Sequence, residues 1–397
     1  MQNEKMNKII YLDNGATTKV DPEVVKVMNE YHTEKYGNPS SSHSPGQEAK
    51  IALEDARKSI AKTINARPEE IIFTSGGTES NNIAIKGVAF SNKDKGDHII
   101  TTKIEHKCVL ESSKWLEKQG FQVTYLNVDK EGFINPKELE EAITEKTVLV
   151  SIIHGNNEIG TIQDLKRLGD ICKKYNVYFH TDACQSYTKT DINTKTQNID
   201  LITLNAHKIH GPKGIGVLYI KKGTKLQTWQ HGGGHEFNLR SGTENIPGIV
   251  GFAKAAELAI NKHHIQHMSV LRDKLIDGIL KIHSTRLNGA QKDQRLCNNV
   301  NISFDAVEGE AIGGYLDQKG ICSSTGSACS EMSLDPSYVL MAIGCSHQQA
   351  NGSLRLTLSR FTTEEEIDET LKFLPEIIKK LRKMSPLGKL VKKITGE

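Results

Sequence analysis

From residue 49 to about residue 220 the chain alternates between two apolar patterns. Runs dense in Val and Ile, apolar without alternation, predict strands at 71–73, 98–102, 123–128, 148–153, 177–181, 201–204 and 216–220. Between them lie stretches of helical period. One spans 49–64, with Ala52, Leu53, Ala56 and Ile60 on a single stripe. Another begins at Asp164, a good N-cap, and reaches Tyr175. Strands without a polar face must be covered on both sides, so the pattern predicts an α/β fold with a mostly parallel seven-stranded sheet between helices. Such sheets present ligands at the carboxyl ends of their strands.

After about residue 251 the pattern changes. A long Ala, Leu and Ile helix is expected near 251–283, strands near 299–304 and 354–358, and helices from Thr363 onward. This part is expected to form a smaller α+β domain. The expected division is a large domain at 15–258 and a small one made of 1–14 and 259–397, the latter carrying a loop at about 322–334.

At 397 residues the chain is long enough for two or three domains. A net charge of +3 argues against direct nucleic acid binding, and no apolar run is long enough to span a bilayer. Seven scattered cysteines without a C-x-x-C pair argue against a disulfide framework and for a reducing, cytoplasmic setting.

Chemistry enters at two strand ends. The 201–204 strand runs into Asn205-Ala-His207-Lys208 and a Gly-Pro-Lys-Gly turn, and the 177–181 strand ends at Asp182. A lysine so placed can form a Schiff base, and a neighbouring carboxylate can keep a pyridinium nitrogen protonated. The 71–73 strand opens onto Thr74-Ser-Gly-Gly77-Thr78, where a glycine turn and helix start offer N–H groups to an anion. Neither a Walker motif nor G-x-G-x-x-G is present. The three features together point to pyridoxal 5'-phosphate.

Many ordered blocks extend this reading. They include Tyr11-Leu-Asp-Asn-Gly-Ala-Thr-Thr18, Gly37-Asn-Pro-Ser-Ser, Glu105-His106-Lys, Asn156-Asn157-Glu-Ile-Gly and His180-Thr-Asp182-Ala-Cys-Gln185. Further on stand Arg240-Ser-Gly-Thr243-Glu-Asn, Ser323-Ser-Thr-Gly-Ser-Ala-Cys329 and Arg360-Phe-Thr-Thr. Over nearly its whole length the chain resembles the NifS/IscS-type cysteine desulfurases, enzymes of the class-V aminotransferase family that use pyridoxal phosphate.

The resemblance implies an aspartate-aminotransferase-like fold and a homodimer with sites at the subunit interface. It makes Lys208 the Schiff-base lysine, Asp182 the partner of the pyridine nitrogen, Gln185 a contact of the ring oxygen and His106 the residue stacked on the ring. It gives the phosphate to Gly77, Thr78, Asn205 and His207, with Thr243 reaching in from the other subunit. Asn157 and Arg355 would receive the carboxylate of L-cysteine. Cys329 would take the sulfur as a persulfide and pass it to a protein acceptor such as an iron–sulfur scaffold. Serine is usual in the family where this chain has Asn205, alanine where it has Gly15, and glycine where it has Ser359.

No metal is expected. His263, His264 and His267 share a helix face with no carboxylate or cysteine to complete a set, and the glycines of His231-Gly-Gly-Gly-His235 forbid a stable helix. Two other readings stay in view. A selenocysteine lyase would keep the cofactor without depending on Cys329. A non-catalytic sulfur or cluster scaffold would keep only the fold.

Overall fold

The computed structural model describes residues 9–326 and 335–385. In its first part the elements are β1 (Ile10–Tyr11), α1 (Pro22–Thr33), α2 (Ser44–Thr63), β2 (Ile71–Thr74), α3 (Gly77–Ser91), β3 (His98–Thr102) and α4 (Lys107–Lys118). There follow β4 (Gln122–Leu126), α5 (Pro136–Ala142), β5 (Thr147–Ser151), α6 (Leu165–Lys174), β6 (Tyr178–Asp182), β7 (Leu201–Asn205), β8 (Gly216–Ile220) and α7 (Ile246–Ala259). The remainder contains α8 (Lys262–Ile279), β9 (Thr285–Leu287), β10 (Asn299–Phe304), α9 (Gly309–Asp317) and β11 (Ile321–Cys322). It closes with α10 (Tyr338–Ala342), α11 (His347–Asn351), β12 (Ser353–Thr357) and α12 (Glu364–Met384).

All seven expected strands join one sheet in the order β2-β8-β7-β6-β5-β3-β4. Pairing is parallel from β7 through β6 and β5 to β3 and β4, while β8 runs antiparallel to both β7 and β2. Apolar clusters cover both faces: one packs α2, α6 and α7 against it, the other α3 and α4. That double burial is why the strands carry no polar alternation. Asp164 caps α6 through a hydrogen bond from the Arg167 N–H, as the sequence predicts.

The helix expected across 251–283 is instead two helices. Asn261 interrupts it by accepting the His263 N–H, an Asx cap that starts α8 afresh. Beyond it, β9, β10 and β12 form an antiparallel sheet whose core includes Ile10, Leu12 and residues of α8, α9 and α12. The parallel pair β1–β11 ties the start of the chain to this part. On α8, His267 directs Nε2 to the Thr362 carbonyl at 2.8 Å. Among the described residues no helix is long and apolar enough to cross a membrane.

Candidate active site

The carboxyl ends of β2, β6 and β7 converge, and each contributes one part of the site. At the end of β2 the chain turns through Ser75 and Gly76 into α3, whose N-cap has no side-chain partner. The first-turn N–H groups therefore remain available to an anion. Gly77 must be glycine here, because a Cβ would lie 2.7 Å from the Cys184 Sγ beneath it. An open cleft of about 390 Å³ is walled by Thr17, Gly76, Gly77, Thr78, His207 and Lys213 among others. His207 Nδ1 lies 3.2 Å from the Thr17 hydroxyl. Burial first, then the charges of Lys208, Lys213 and Lys189, push the His207 imidazole down to about 4. Lys213 and the α3 start supply positive groups at the cleft, and Glu79, which also walls it, is paired with Arg240 at 2.8 Å. Asn205 is buried with its Oδ1 unpaired. Its Nδ2 lies 3.6 Å from where a Gly77 Cβ would stand.

At the end of β6, Asp182 is buried with both oxygens engaged. Oδ1 accepts the Cys184 N–H at 2.9 Å and Oδ2 accepts the Asn81 Nδ2 at 2.7 Å. Just past β7, the Lys208 Nζ donates to the Gly15 carbonyl at 2.7 Å, and the Gln185 Nε2 donates to the same oxygen at 2.9 Å. Lys189 braces these turns, donating to the Gln185 carbonyl at 2.8 Å, and burial brings its ammonium down to about 8.

His106 caps α4 by accepting the Cys108 N–H on Nδ1. The same Nδ1 lies 3.0 Å from the Cys108 Sγ, which receives the other hydrogen bond of Asn81 at 3.1 Å. His106 and Asp182 are therefore linked through Cys108 and Asn81. Glu105, fully buried, accepts the Thr102 hydroxyl and the Ile153 N–H on one oxygen while the other has no partner. Burial raises its carboxyl to about 8, so it is protonated at neutral pH.

The third part lies toward β12. Arg355 is 2% exposed; Nη1 donates to the Asn157 carbonyl at 3.0 Å and Nη2 to Asp13 Oδ1 at 3.1 Å. Its Nε, the Asn157 Oδ1 and the hydroxyls of Ser323 and Ser324 are buried without partners. Ser324 bridges Arg355 through the backbone. A buried guanidinium with a spare donor suits a carboxylate.

The structure thus gathers Gly77, Thr78 and His207 at the cleft, with Asn205 buried beside Gly77 and not among the residues walling it, and places Asp182, Gln185 and Lys208 on neighbouring strand ends and turns. Asn157 and Arg355 stand together farther along. Thr243 is exposed and is not among the residues walling the cleft of its own chain. Cys329 lies outside the described residues. Sequence reading passed over Asn81, Cys108, Glu105, Asp13 and the Gly15 carbonyl. Asn81 carried a signal, since it stands four residues after Gly77 and so shares its helix face.

This arrangement fits pyridoxal phosphate: an anion cleft at a helix start, a lysine, a fixed carboxylate and unpaired buried polar atoms on Asn205 and beside Arg355. Residues 10–370 match the family described as aminotransferase class-V, to which the chain belongs. Two relatives within that family are cysteine desulfurases. The chain is 53% identical over 383 residues to the cysteine desulfurase IscS of Methanosarcina thermophila, covering 96% of this chain and 95% of that protein. The mitochondrial cysteine desulfurase of Saccharomyces cerevisiae is 48% identical, over 96% of this chain and 77% of its own. Among solved structures, a NifS-like protein at 40% identity superposes with a TM-score of 0.88, over 94% of this chain and all of that one. The structure described as SspA in complex with cysteine, 37% identical, gives 0.79 over 89% of this chain and all of its own.

Proposed function

We propose that the chain is a cysteine desulfurase that converts L-cysteine to L-alanine and carries the released sulfur as a persulfide on Cys329. The observation that carries this reading is the convergence of Lys208 and Gln185 on the Gly15 carbonyl, beside a doubly held Asp182, together with the cleft at the α3 start. The relatives named above point to the same substrate. Gly77, Thr78, Asn205 and His207 would hold the phosphate of pyridoxal 5'-phosphate, and Thr243 would complete that set from a second copy of the chain in a homodimer. Asp182 would keep the pyridine nitrogen protonated, Gln185 would donate to the ring oxygen, and His106 would cover the ring face.

When bound, the cofactor supplies the electron sink that acidifies the substrate Cα–H and weakens its Cβ–S bond. Asn157 and Arg355 orient the substrate carboxylate. The Lys208 amine would move the Cα proton. The Cys329 thiolate attacks the substrate sulfur and the Cβ–S bond breaks. The electron pair stays with the three-carbon fragment, which takes up protons and leaves as alanine. The persulfide then passes to a protein acceptor such as an iron–sulfur scaffold in the cytoplasm. The large unit of this enzyme is residues 15–258, and the small one is 1–14 with 259–397.

The test is alanine release from L-cysteine by the cofactor-loaded protein with a reductant. Alanine and sulfide in equal amounts, lost in Cys329→Ser, support the reading. Turnover unaffected by that substitution contradicts it.

A further inference from the structure

One buried carboxyl meets both described ends of the segment that contains Cys329. Glu158, directly after Asn157, is 1% exposed. Its Oε2 accepts the Ser337 hydroxyl at 2.5 Å on the C-terminal side of that segment. On the N-terminal side Gly326 adopts φ +61°, and a Cβ there would stand 3.2 Å from the same Oε2. A side chain at this position would have to displace the carboxylate and accept a left-handed backbone.

Glu158 is itself fixed. Its N–H donates to Asn156 Oδ1 at 2.9 Å, and its carbonyl accepts Nδ2 of both Asn299 and Asn301 at 3.1 Å. Those asparagines lie on β10, where Asn301 pairs in register with Arg355. Ser337 also caps α10 by accepting the Leu340 N–H. The next residue, Tyr338, donates its hydroxyl to the Glu105 carbonyl at 2.6 Å, one residue before His106. Facing Glu158 are the charges of Arg355, His106 and Lys107, yet burial still holds its carboxyl above the ordinary glutamate value.

We propose that Glu158 is a positioning residue for sulfur transfer: its carboxyl holds Ser337 by a hydrogen bond and packs where a side chain at residue 326 would stand, on the two sides of the stretch that contains Cys329. The inference rests on the reading of Cys329 as the sulfur acceptor. It ties the chain flanking that stretch to the residue next to Asn157, whose carbonyl Arg355 holds. Displacement of a reacting group by about 1 Å can cost on the order of 100-fold in rate.

The experiment uses the loaded enzyme, mixed rapidly with L-cysteine. Two signals are followed: the cofactor absorbance change on substrate binding, and persulfide on Cys329, trapped by alkylation and read by mass spectrometry. In Glu158→Ala persulfide formation is expected to slow roughly tenfold or more, and in Ser337→Ala by about threefold. The absorbance change, the KM for L-cysteine and cofactor affinity should stay within about twofold of wild type, as positioning alone requires. Glu158→Gln keeps an acceptor for Ser337 and should recover most of the rate. An unchanged persulfide rate in Glu158→Ala and Ser337→Ala overturns the inference. So does a loss in both that merely follows cofactor loading or melting temperature. Cys329→Ser is the separate control: if it still forms alanine at the wild-type rate, the reading of Cys329 fails, and the inference with it.

Discussion

The two ends of the site are built in different ways. The cofactor end stands on one sheet, its residues come from short contiguous blocks, and its central carboxylate is hydrogen-bonded at both oxygens before any ligand arrives. The substrate end is assembled from Asp13, Asn157, Ser324 and Arg355, and it leaves donors and acceptors unpaired inside the protein. A group that stays can be held by a site whose central carboxylate is already fixed, although Asn205 Oδ1 is left unpaired there too. A group that enters and leaves each turnover must supply part of the hydrogen bonding itself, because unpaired buried polar atoms are costly until it does.

This contrast can be broken from either end. The largest effect is expected for Lys208→Ala, which removes both covalent anchor and proton carrier. Turnover should fall by roughly 10²–10⁴-fold or more, and the cofactor absorbance in the unliganded enzyme should change. Arg355→Ala attacks the other end. The loss of hydrogen bonds to a charged group, about 1.5–3 kcal/mol, should lower kcat/KM for L-cysteine roughly 10- to 100-fold while the resting cofactor spectrum stays as in wild type. Arg355→Lys should not restore it, since a point charge cannot reproduce the fork that also spans Asn157 and Asp13. Asn81→Ala sharpens the cofactor end by freeing one oxygen of Asp182. Cofactor affinity should weaken about tenfold with KM for L-cysteine little changed, measured by titrating the apoprotein.

An effect of another kind is expected on stability against pH. His154 is held down to about 3, and His180, His207 and His210 to about 4, burial being the first cause in each. Between the ordinary value of 6.5 and these values the unfolded chain binds protons that the folded one refuses, so stability drops as pH falls through that window. Glu105 and Glu158, with raised carboxyls, act in the opposite sense, but the imidazoles outnumber them. Stability should therefore fall on acidification from pH 7 to 5, by up to about 1.4 kcal/mol per pH unit for each net group, and the melting temperature should fall with it. A flat profile would mean that these imidazoles accept protons in place.

The same contrast decides what could be read in advance. All seven strands of the large sheet were legible, because burial on both faces writes itself into unbroken apolar runs. The antiparallel run of β8 was not, although the link of about ten residues from β7 is shorter than a parallel crossover needs. The break before α8 was hidden because apolar residues resume helical spacing beyond Asn261, at Ile265, Met268, Leu271 and Leu275. At the cofactor end, Gly77, Asp182 and Lys208 followed from strand ends and turn chemistry and His207 from the family resemblance; the structure puts Gly77 and His207 on one cleft. The pairing of Asp13 with Arg355 joins residues 342 positions apart, and no local pattern encodes it. Glu105 was quoted for its place in a motif; only burial reveals that its carboxyl stays protonated.

One measurement tests the central claim most directly. The loaded protein is mixed with a single equivalent of L-cysteine, quenched with an alkylating agent and digested. All seven cysteines are then examined for an added sulfur. The account predicts one extra sulfur on Cys329, appearing together with alanine, and none on any cysteine of Lys208→Ala. Alanine formed with no sulfur on Cys329, or with the sulfur first on Cys108 or Cys184, would contradict it.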